Sequence, residues 1–254
     1  MSRYVGSKWS KTLALLKDNS ISAYVPKTVR MNSATLHQML EEYRMVYIKP
    51  NEGTYGNGVM RVEWVEGEAF RPYRYQHGVT ARTFQTYDEM YRDLLKWTRN
   101  RRYLVQKGIH LLKYHKRRFD IRVMVQHNLQ KKWESSGLIG RVAHPKKIVT
   151  NYHSGGTPKA VEELMSAYLG KSEKARFMRK LRRLGTKVAK RMHDRFPGVK
   201  EIGLDVAVDH TLKPWILEVN TRPDPYIFNR LSDKRVFGKI IRYVRAYKKI
   251  YKKV

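Results

Sequence analysis

Apolar residues along this chain follow two periods, and the switches between them mark its elements. Short Val-, Ile- and Leu-rich runs over 45–50, 59–62, 103–109, 119–125, 136–142, 203–208 and 215–219 predict strands. The stretch 63–86 alternates polar and aromatic residues and predicts edge strands in the same lobe as its neighbours. A helical period appears over 8–17, followed by an extended passage through Tyr24, Val25 and Pro26. Asn32 to Thr35 can cap a helix whose stripe is Leu36, Met39, Leu40 and Tyr43. Met90, Leu94, Leu95 and Trp97 define another helix. A small-residue loop over 150–156 precedes a helix over 160–169. Two longer amphipathic helices follow. One covers 173–193 with the stripe Phe177, Leu181, Leu184, Val188 and Met192; the other starts at 232 and carries Phe237, Ile240, Ile241, Val244 and Tyr247.

Composition narrows what such a chain can be. Its 254 residues suffice for one domain with lobes or two small domains, and 41% hydrophobic content with 17 tyrosines indicates a globular protein. Cysteine is absent, which excludes disulfides, thiolate metal sites and cysteine nucleophiles. No apolar run approaches the roughly 20 residues of a membrane span, and the N-terminus lacks a signal-peptide core. A soluble, cytoplasmic protein is expected. The formal net charge of +31 implies attraction to polyanions. Basic residues cover the outer faces of both long helices, and Lys248, Lys249, Lys252 and Lys253 close the chain.

The chemistry concentrates around two strand pairs. The turn-forming run 209–214 separates the strands over 203–208 and 215–219, so the simplest structure is an antiparallel hairpin. Alternation puts Asp205 on the face opposite Leu204 and Val206, and places Glu218 and Asn220 on one face of the second strand. Two carboxylates and one amide oxygen then converge with no Lys or Arg required between them. Oxygen-only donors of this kind suit a hard, hydrated cation such as Mg²⁺, held through substrate phosphates as well. A hairpin whose polar face merely carries acids is the alternative. Earlier in the chain, Lys49 ends one strand and Gly53, Gly56 and Gly58 precede the next. Glycines let backbone N–H groups approach phosphate oxygens while the ammonium supplies charge; an ordinary hairpin turn is the alternative. Arg122 and Arg141 sit on the polar faces of two apolar strands, where phosphate or carboxylate recognition would explain them. A salt bridge from Arg122 to Asp120, two residues away on the same face, explains Arg122 equally well.

These motifs, in this order, resemble the ATP-grasp superfamily. Asp205, Glu218 and Asn220 in Glu-Val-Asn-Thr-Arg-Pro are similar to its magnesium signature. Lys-Pro-x-x-Gly-x-x-Gly-x-Gly from Lys49 is similar to its phosphate-covering loop, and Gln106-Lys107-Gly108-Ile109 to its adenine hinge. Lys107 stands where an acidic residue is common. Tyr-Val-Gly-Ser-Lys-Trp at the start and Phe-Asp-Ile-Arg-Val-Met-Val-Gln from 119 resemble the YheC/YheD branch, the endospore coat-associated proteins. The resemblance covers roughly residues 5–232. It implies an α+β fold in which two lobes of mainly antiparallel sheet, with helices, grip ATP between them. A short N-terminal segment (1–44) would precede the core (45–232), with lobes meeting near 108–109 and a basic helix over 233–254 closing the chain.

By the same resemblance, Lys8 and Lys49 would bind the α- and β-phosphates. The glycine loop would cover the β- and γ-phosphates, Gln106, Lys107 and Ile109 would hold the base, and Asp205, Glu218 and Asn220 would hold Mg²⁺. Arg141, with Arg122 and Asn151, would serve the reacting end. Gly203 stands two residues before Asp205, where some ligases of the superfamily place an arginine, so Arg141 or Arg122 would replace it. The implied reaction is ADP-forming ligation of a carboxylate to an amine through an acyl phosphate, on acidic small-molecule or peptide substrates. Spore-coat proteins are the implied partners. The alternatives are a spore-coat scaffold of the same fold without turnover and a basic protein that binds nucleic acid non-specifically. Against the last, the chain has no zinc-finger, basic-zipper or RNP-type motif.

Overall fold

The computed structural model describes residues 2–65, 72–98 and 101–251, the side chains of 247–251 excepted. In chain order the first elements are α1 (Lys8–Leu16), α2 (Asn19–Ser22), β1 (Thr28–Arg30), α3 (Ser33–Tyr43), β2 (Met45–Pro50), β3 (Met60–Trp64), β4 (Tyr73–His77), β5 (Thr80–Phe84), α4 (Tyr87–Thr98) and β6 (Tyr103–Lys107). Then come β7 (Lys113–Tyr114), β8 (Arg117–His127), β9 (Trp133–Val142), β10 (Thr157–Lys159), α5 (Val161–Met165), α6 (Lys171–Arg195), β11 (Glu201–Val208), β12 (Pro214–Asn220) and α7 (Lys234–Tyr251).

The strands form two antiparallel sheets. The first runs β1-β6-β2-β3-β4-β5 and the second β10-β9-β8-β11-β12, with β7 paired to β8. In the first lobe α3 and α4 cover the sheet: Leu36, Met39, Leu40, Met90 and Leu94 pack on Val46, Ile48, Met60, Val62 and Val105. The cap expected before α3 is formed, as a reciprocal box in which Asn32 Oδ1 accepts from the Thr35 N–H at 2.8 Å and Thr35 Oγ1 from the Asn32 N–H at 2.9 Å.

The second sheet is covered on both faces. Val123 and Val125 turn toward α6, whose stripe of Phe177, Leu181, Leu184, Val188 and Met192 lies in the same core. Met124, between them, turns the other way and joins Ile139, Ile227, Phe228 and Ile240 beneath α7. This period of two explains why β8 and β11 read as continuous apolar runs. Gly185 lets α6 approach closely, since a Cβ there would lie 2.8 Å from Val123 Cγ1.

The first 44 residues are not a segment standing before the core. β1 pairs with β6 at the edge of the first sheet, while α1 packs on α6 of the second lobe, where Ala14 O accepts from Arg191 Nε at 2.8 Å. The helix expected over 160–169 stops at Met165. The next residues form a turn, with the Tyr168 and Leu169 N–H groups both returning to Met165 O, before Gly170 opens α6. Part of the edge-strand stretch (66–71) and the side chains of the C-terminal lysine run lie outside the described residues. No helix among the described residues is long and apolar enough to cross a membrane.

In the first lobe a buried polar cluster ties β4 and β5 to α4. Tyr75 donates to Asp93 at 2.5 Å, and Arg82 and Lys96 reach the same carboxylate at 2.7 and 2.8 Å. Burial pushes the Asp93 carboxyl up, but hydrogen bonds from Lys96, Tyr75 and Arg82 outweigh it and hold it at about 2. A carboxyl held below its unfolded value stabilises the fold fully above about pH 4 and stops doing so as pH falls toward 2. Arg82 and Lys96 approach from solvent, so screening limits the effect to about 1–2 kcal/mol. Urea denaturation should therefore show Asp93→Asn less stable than wild type at pH 6, with the gap shrinking at pH 3. An equal gap at both values would show that hydrogen-bond geometry, not charge, is what the substitution removes.

Candidate active site

The floor of the cleft is built from the face of the second sheet that its apolar runs leave polar. In the β8–β9 register Asp120 lies opposite Arg141, and in the β8–β11 register Arg122 lies opposite Asp205. Arg141 donates to Asp120 through Nε at 2.9 Å and Nη2 at 2.5 Å, and its Nη2 also reaches Asp205 Oδ2 at 3.0 Å. Arg122 holds Asp205 in a fork, Nε on Oδ1 and Nη2 on Oδ2 at 3.1 Å. All four side chains are buried. Burial pushes the Asp205 carboxyl up, yet Arg122 and Arg141 outweigh it and hold it at about 2. For the Arg141 guanidinium, burial disfavours the charge, but Asp120 and Asp205 outweigh it and push its pKa up.

Two expectations are corrected here. Arg122 does not pair with Asp120: same-face neighbours on one strand stand about 7 Å apart, whereas cross-strand partners stand about 5 Å apart, so each acid takes the arginine opposite it. Nor is the acidic hairpin free of cations. Arg122 and Arg141 contact Asp205, while Lys8 and Lys11 approach Glu218 Oε1 at 3.6 and 3.9 Å.

The hairpin itself is as expected. β11 pairs with β12, Asp205 opposite Glu218 and Gly203 opposite Asn220. Its turn is tied by Asp209, which accepts from the Thr211 and Lys213 N–H groups at 2.9 and 3.1 Å and from Trp215 Nε1 at 2.7 Å. Asn220 Nδ2 donates to Asp205 Oδ2 at 3.2 Å and Gly203 O at 3.4 Å. A bulge after Asp205 leaves Leu217 without a cross-strand partner, and its carbonyl accepts from Lys49 Nζ at 3.4 Å. Gly203 has its own role. A Cβ there would meet Pro223 Cβ at 2.8 Å, Arg122 Cδ at 3.0 Å and Arg122 Nη1 at 3.1 Å, so Pro223 and the β8 arginine together occupy the space a side chain at 203 would take.

The first lobe supplies the opposite wall. Lys49 of β2 donates to Gln106 Oε1 at 2.6 Å, and Gln106 donates in turn to Thr28 Oγ1 at 3.1 Å. Burial lowers the Lys49 ammonium to about 8; Lys8 adds to this, while Glu218, Asp205 and Asp120 oppose it. At the hinge, the Lys107 and Gly108 N–H groups are already bonded to Lys27 O and Met45 O, each at 2.9 Å. Lys107 Nζ lies over the rings of Tyr43 and Trp215, 4.7 and 5.5 Å from their centroids. Ile109 is buried and lines the cleft.

At the mouth, Gly56 and Gly58 adopt φ of 76° and 74°, which favour glycine. A Cβ on Gly56 would lie 2.9 Å from Asn151 Oδ1, so the glycine loop meets the 150–156 loop directly. Tyr55 stacks edge-on against His153, their centroids 4.3 Å apart, and Ser154 Oγ donates to Tyr55 O at 3.3 Å. Gly53 O accepts from Lys8 Nζ at 3.0 Å.

The cleft between the lobes holds a cavity of about 80 Å³. It brings together Lys49, Gly56, Gln106, Lys107, Ile109, Arg141, Asn151, Asp205 and Glu218 among the residues expected from the sequence. Lys8 lines an adjoining cavity that shares Lys49, Gln106 and Glu218. Gly53, Gly58, Arg122 and Asn220 are not among the residues that line these two cavities. Sequence reasoning missed Asp120 as a member of the floor, and Lys11, whose ammonium is buried and lowered by burial. Lys11 lies one turn after Lys8 on α1, a spacing that could have found it.

Around this site three carboxylates (Asp120, Asp205, Glu218) face five cations (Lys8, Lys11, Lys49, Arg122, Arg141). That excess suits a polyphosphate. It does not suit a bare divalent cation, and among the described residues no cluster of acids or histidines could hold one unaided. Oxygens of Asp205, Glu218 and Asn220 fit a metal that arrives with phosphates completing its shell.

Comparison with known proteins agrees with this architecture. The chain is 26% identical over 230 residues to endospore coat-associated protein YheD of Bacillus subtilis (strain 168), covering 88% of this chain and 49% of that protein. It is 20% identical over 234 residues to YheC of the same strain, covering 92% and 64%. It thus spans about half to two thirds of the length of these curated relatives. Among solved structures, D-cycloserine synthetase DcsG shares the fold with a TM-score of 0.54 at 10% identity, over 94% of this chain and 70% of that one. Carboxyaminoimidazole ribonucleotide synthase from Aspergillus clavatus, solved with ATP, does so with 0.53 at 11%, over 87% and 46%. Residues 1–250 match the YheC/D-like ATP-grasp family, and the chain belongs to it.

Proposed function

We propose that the chain is an ATP-dependent ligase that joins a carboxylate to an amine. The observation that carries this is the meeting, in one cleft, of buried cations from the first lobe with the oxygen donors of the β11–β12 hairpin. Synthetases sharing the fold, one of them solved with ATP, support the same class. Lys49, Lys8 and Lys11 would bind the phosphates, and the backbone of the glycine loop would close over them. Asp205, Glu218 and Asn220 would hold Mg²⁺, which when bound supplies charge neutralisation at the transferring phosphoryl group. Ile109 would pack on the base. A carboxylate oxygen attacks the γ-phosphorus, the bond to the bridging oxygen breaks and ADP leaves. The amine nitrogen then attacks the acyl carbon and loses a proton as phosphate departs. Arg141, with Arg122 beside it, would face the anionic reacting end, and Asn151 would close over it. Such chemistry rests on positioning and electrostatics and needs no protein nucleophile. The names of the relatives extend the proposal to a role at the endospore coat.

A second reading is nucleotide binding without turnover, and one observation favours it. Asp205 is already held by two arginines, so a metal must compete for a carboxylate whose charge is neutralised. ADP release measured with panels of carboxylates and amines, with and without Mg²⁺, separates the two: a ligase sustains ADP release over many turnovers only when both substrates are present.

ATP with Mg²⁺ should raise Tm by mass action, and Lys49→Ala should remove most of that shift while leaving the unliganded Tm nearly unchanged. The absence of any shift at millimolar ATP would falsify nucleotide binding. Because burial holds Lys49 at about 8 and bound phosphate would restore its proton, ATP affinity should fall as pH rises through 8. Calorimetry at pH 8.5 in buffers of different ionisation enthalpy should show proton uptake on binding. Lys49→Arg, charged throughout, should remove that uptake, and if it does not, another group carries the proton. Glu218→Gln keeps the shape and removes the charge, so folding should survive while turnover drops by roughly 10²-fold or more. Retention of most turnover would remove Glu218 from the metal site.

A further inference from the structure

A second groove, of about 480 Å³, runs between α2 and α6. Arg176, Arg179, Lys180, Arg183 and Lys187 form one side, Leu184 the floor, and Ser20 with Tyr24 the other side. From 176 to 187 the cations extend about 16 Å along the helix. No ion pair engages any of the five among the described residues. Of the acids of α6, Glu173 stands three residues before Arg176 but is engaged in capping the helix, accepting from the Gly170 N–H at 2.8 Å, and Asp194 lies in the last turn, beyond Lys187. Asp18, whose field reaches Lys187, is occupied in capping α2, accepting from the Ser20 N–H at 2.9 Å.

The helix therefore carries like charges at three- and four-residue spacing (176/179, 176/180, 179/183, 180/183, 183/187), each pair mutually repulsive. The apolar stripe of α6 cannot relieve this, because it is buried on the sheet. A ligand can, and its chemistry follows from the groove. It must be anionic at intervals along its length. It must also be long enough to span the roughly 16 Å over which those cations extend. Same-side side chains of an extended polypeptide recur about every 7 Å, within reach of arginines and lysines set one helical turn apart. Single-stranded nucleic acid would instead need ring faces for its bases. The groove's one aromatic residue, Tyr24, already has Lys180 over its ring at 6.0 Å.

We propose that the groove between α2 and α6 is a docking site for an extended acidic polypeptide, held by carboxylate–guanidinium and carboxylate–ammonium pairs. The proposal stands apart from the ligase assignment, since the groove shares no residue with the cleft.

The test uses the full chain and fluorescence anisotropy with labelled poly-L-glutamate of about 20 residues, beside oligo-dT of matched charge. The groove variant is Arg176→Gln, Arg179→Gln, Arg183→Gln and Lys187→Gln together. A control with the same change in net charge combines Lys113→Gln, Lys116→Gln, Lys131→Gln and Lys132→Gln, all exposed on the second lobe. Polyglutamate should bind wild type in a salt-dependent manner and lose roughly tenfold or more in affinity on the groove variant, but about twofold or less on the control. The Tm of the groove variant should equal or exceed that of wild type, since repulsion is removed, and its ATP-dependent shift should persist. Equal losses in both variants would reduce the effect to net charge and overturn the proposal. Unchanged binding by the groove variant would overturn it too. Tighter binding of oligo-dT, lost with the groove, would assign the site to nucleic acid instead. Loss of the ATP shift in wild type would bear on the cleft and leave the groove measurement intact.

Discussion

Four buried charges, Asp120, Arg141, Asp205 and Arg122, alternate in sign beneath the cleft, and the arrangement above them depends on that alternation. Taking any one of them out of water alone would cost several kcal/mol. Pairing across β9, β8 and β11 makes burial tolerable only in the observed register. A one-residue slip of β8 would turn Arg122 toward Leu204, Val206 and the stripe of α6. The charges therefore select a register as much as they stabilise it, and that register places Asp205 opposite Glu218 on the neighbouring strand. The hairpin's oxygen donors and the arginines are one construction: the guanidinium groups hold Asp205 in place through both of its carboxylate oxygens.

The excess of cations in the cleft has a structural cost visible in Lys49. An ammonium lowered to about 8 by burial is held against its preference for water, with Gln106 and Leu217 O as its hydrogen-bond partners. Such a group is poised for an anion, because arrival of phosphate charge removes the penalty that burial imposed. The bulge after Asp205 contributes directly, since an unbroken ladder would have occupied the Leu217 carbonyl. One backbone irregularity thus serves both lobes: it turns the acidic strand and anchors the lysine facing it.

What could be seen in the sequence followed from local spacing. The β11–β12 hairpin, the Lys49–glycine loop pair, the helix cap at Asn32 and the stripe of α6 are each set by residues within a few positions of one another. What could not be seen depends on partners distant in the chain. Arg122 offered a choice between a neighbour two residues away and an unidentified anion, and its actual partner lies 83 residues on. The role of Asp120 in the floor is equally a matter of sheet order. β1 is only three residues long, and nothing in Thr28, Val29 and Arg30 alone announces that they complete the first sheet against β6. Even so, Gly203 shows that a missing side chain can be informative: Arg122 of the neighbouring strand and Pro223 fill the space it leaves.

The same logic separates two kinds of positive charge in this protein. In the cleft the cations are buried, few, and interleaved with carboxylates, so each is fixed in place and its protonation responds to its neighbours. In the groove beside α6 they are exposed, with no carboxylate between them, so solvent screens them and only a partner with several charges can engage them together. A net charge of +31 conceals this difference. The buried set can discriminate by geometry, because a misplaced anion leaves a desolvated cation unpaired. The exposed set discriminates by charge density and length, because any single pair across it is weak. A protein with both kinds of surface can hold a small polyanion tightly at one place and gather a long one loosely at another, and neither function requires residues of the other.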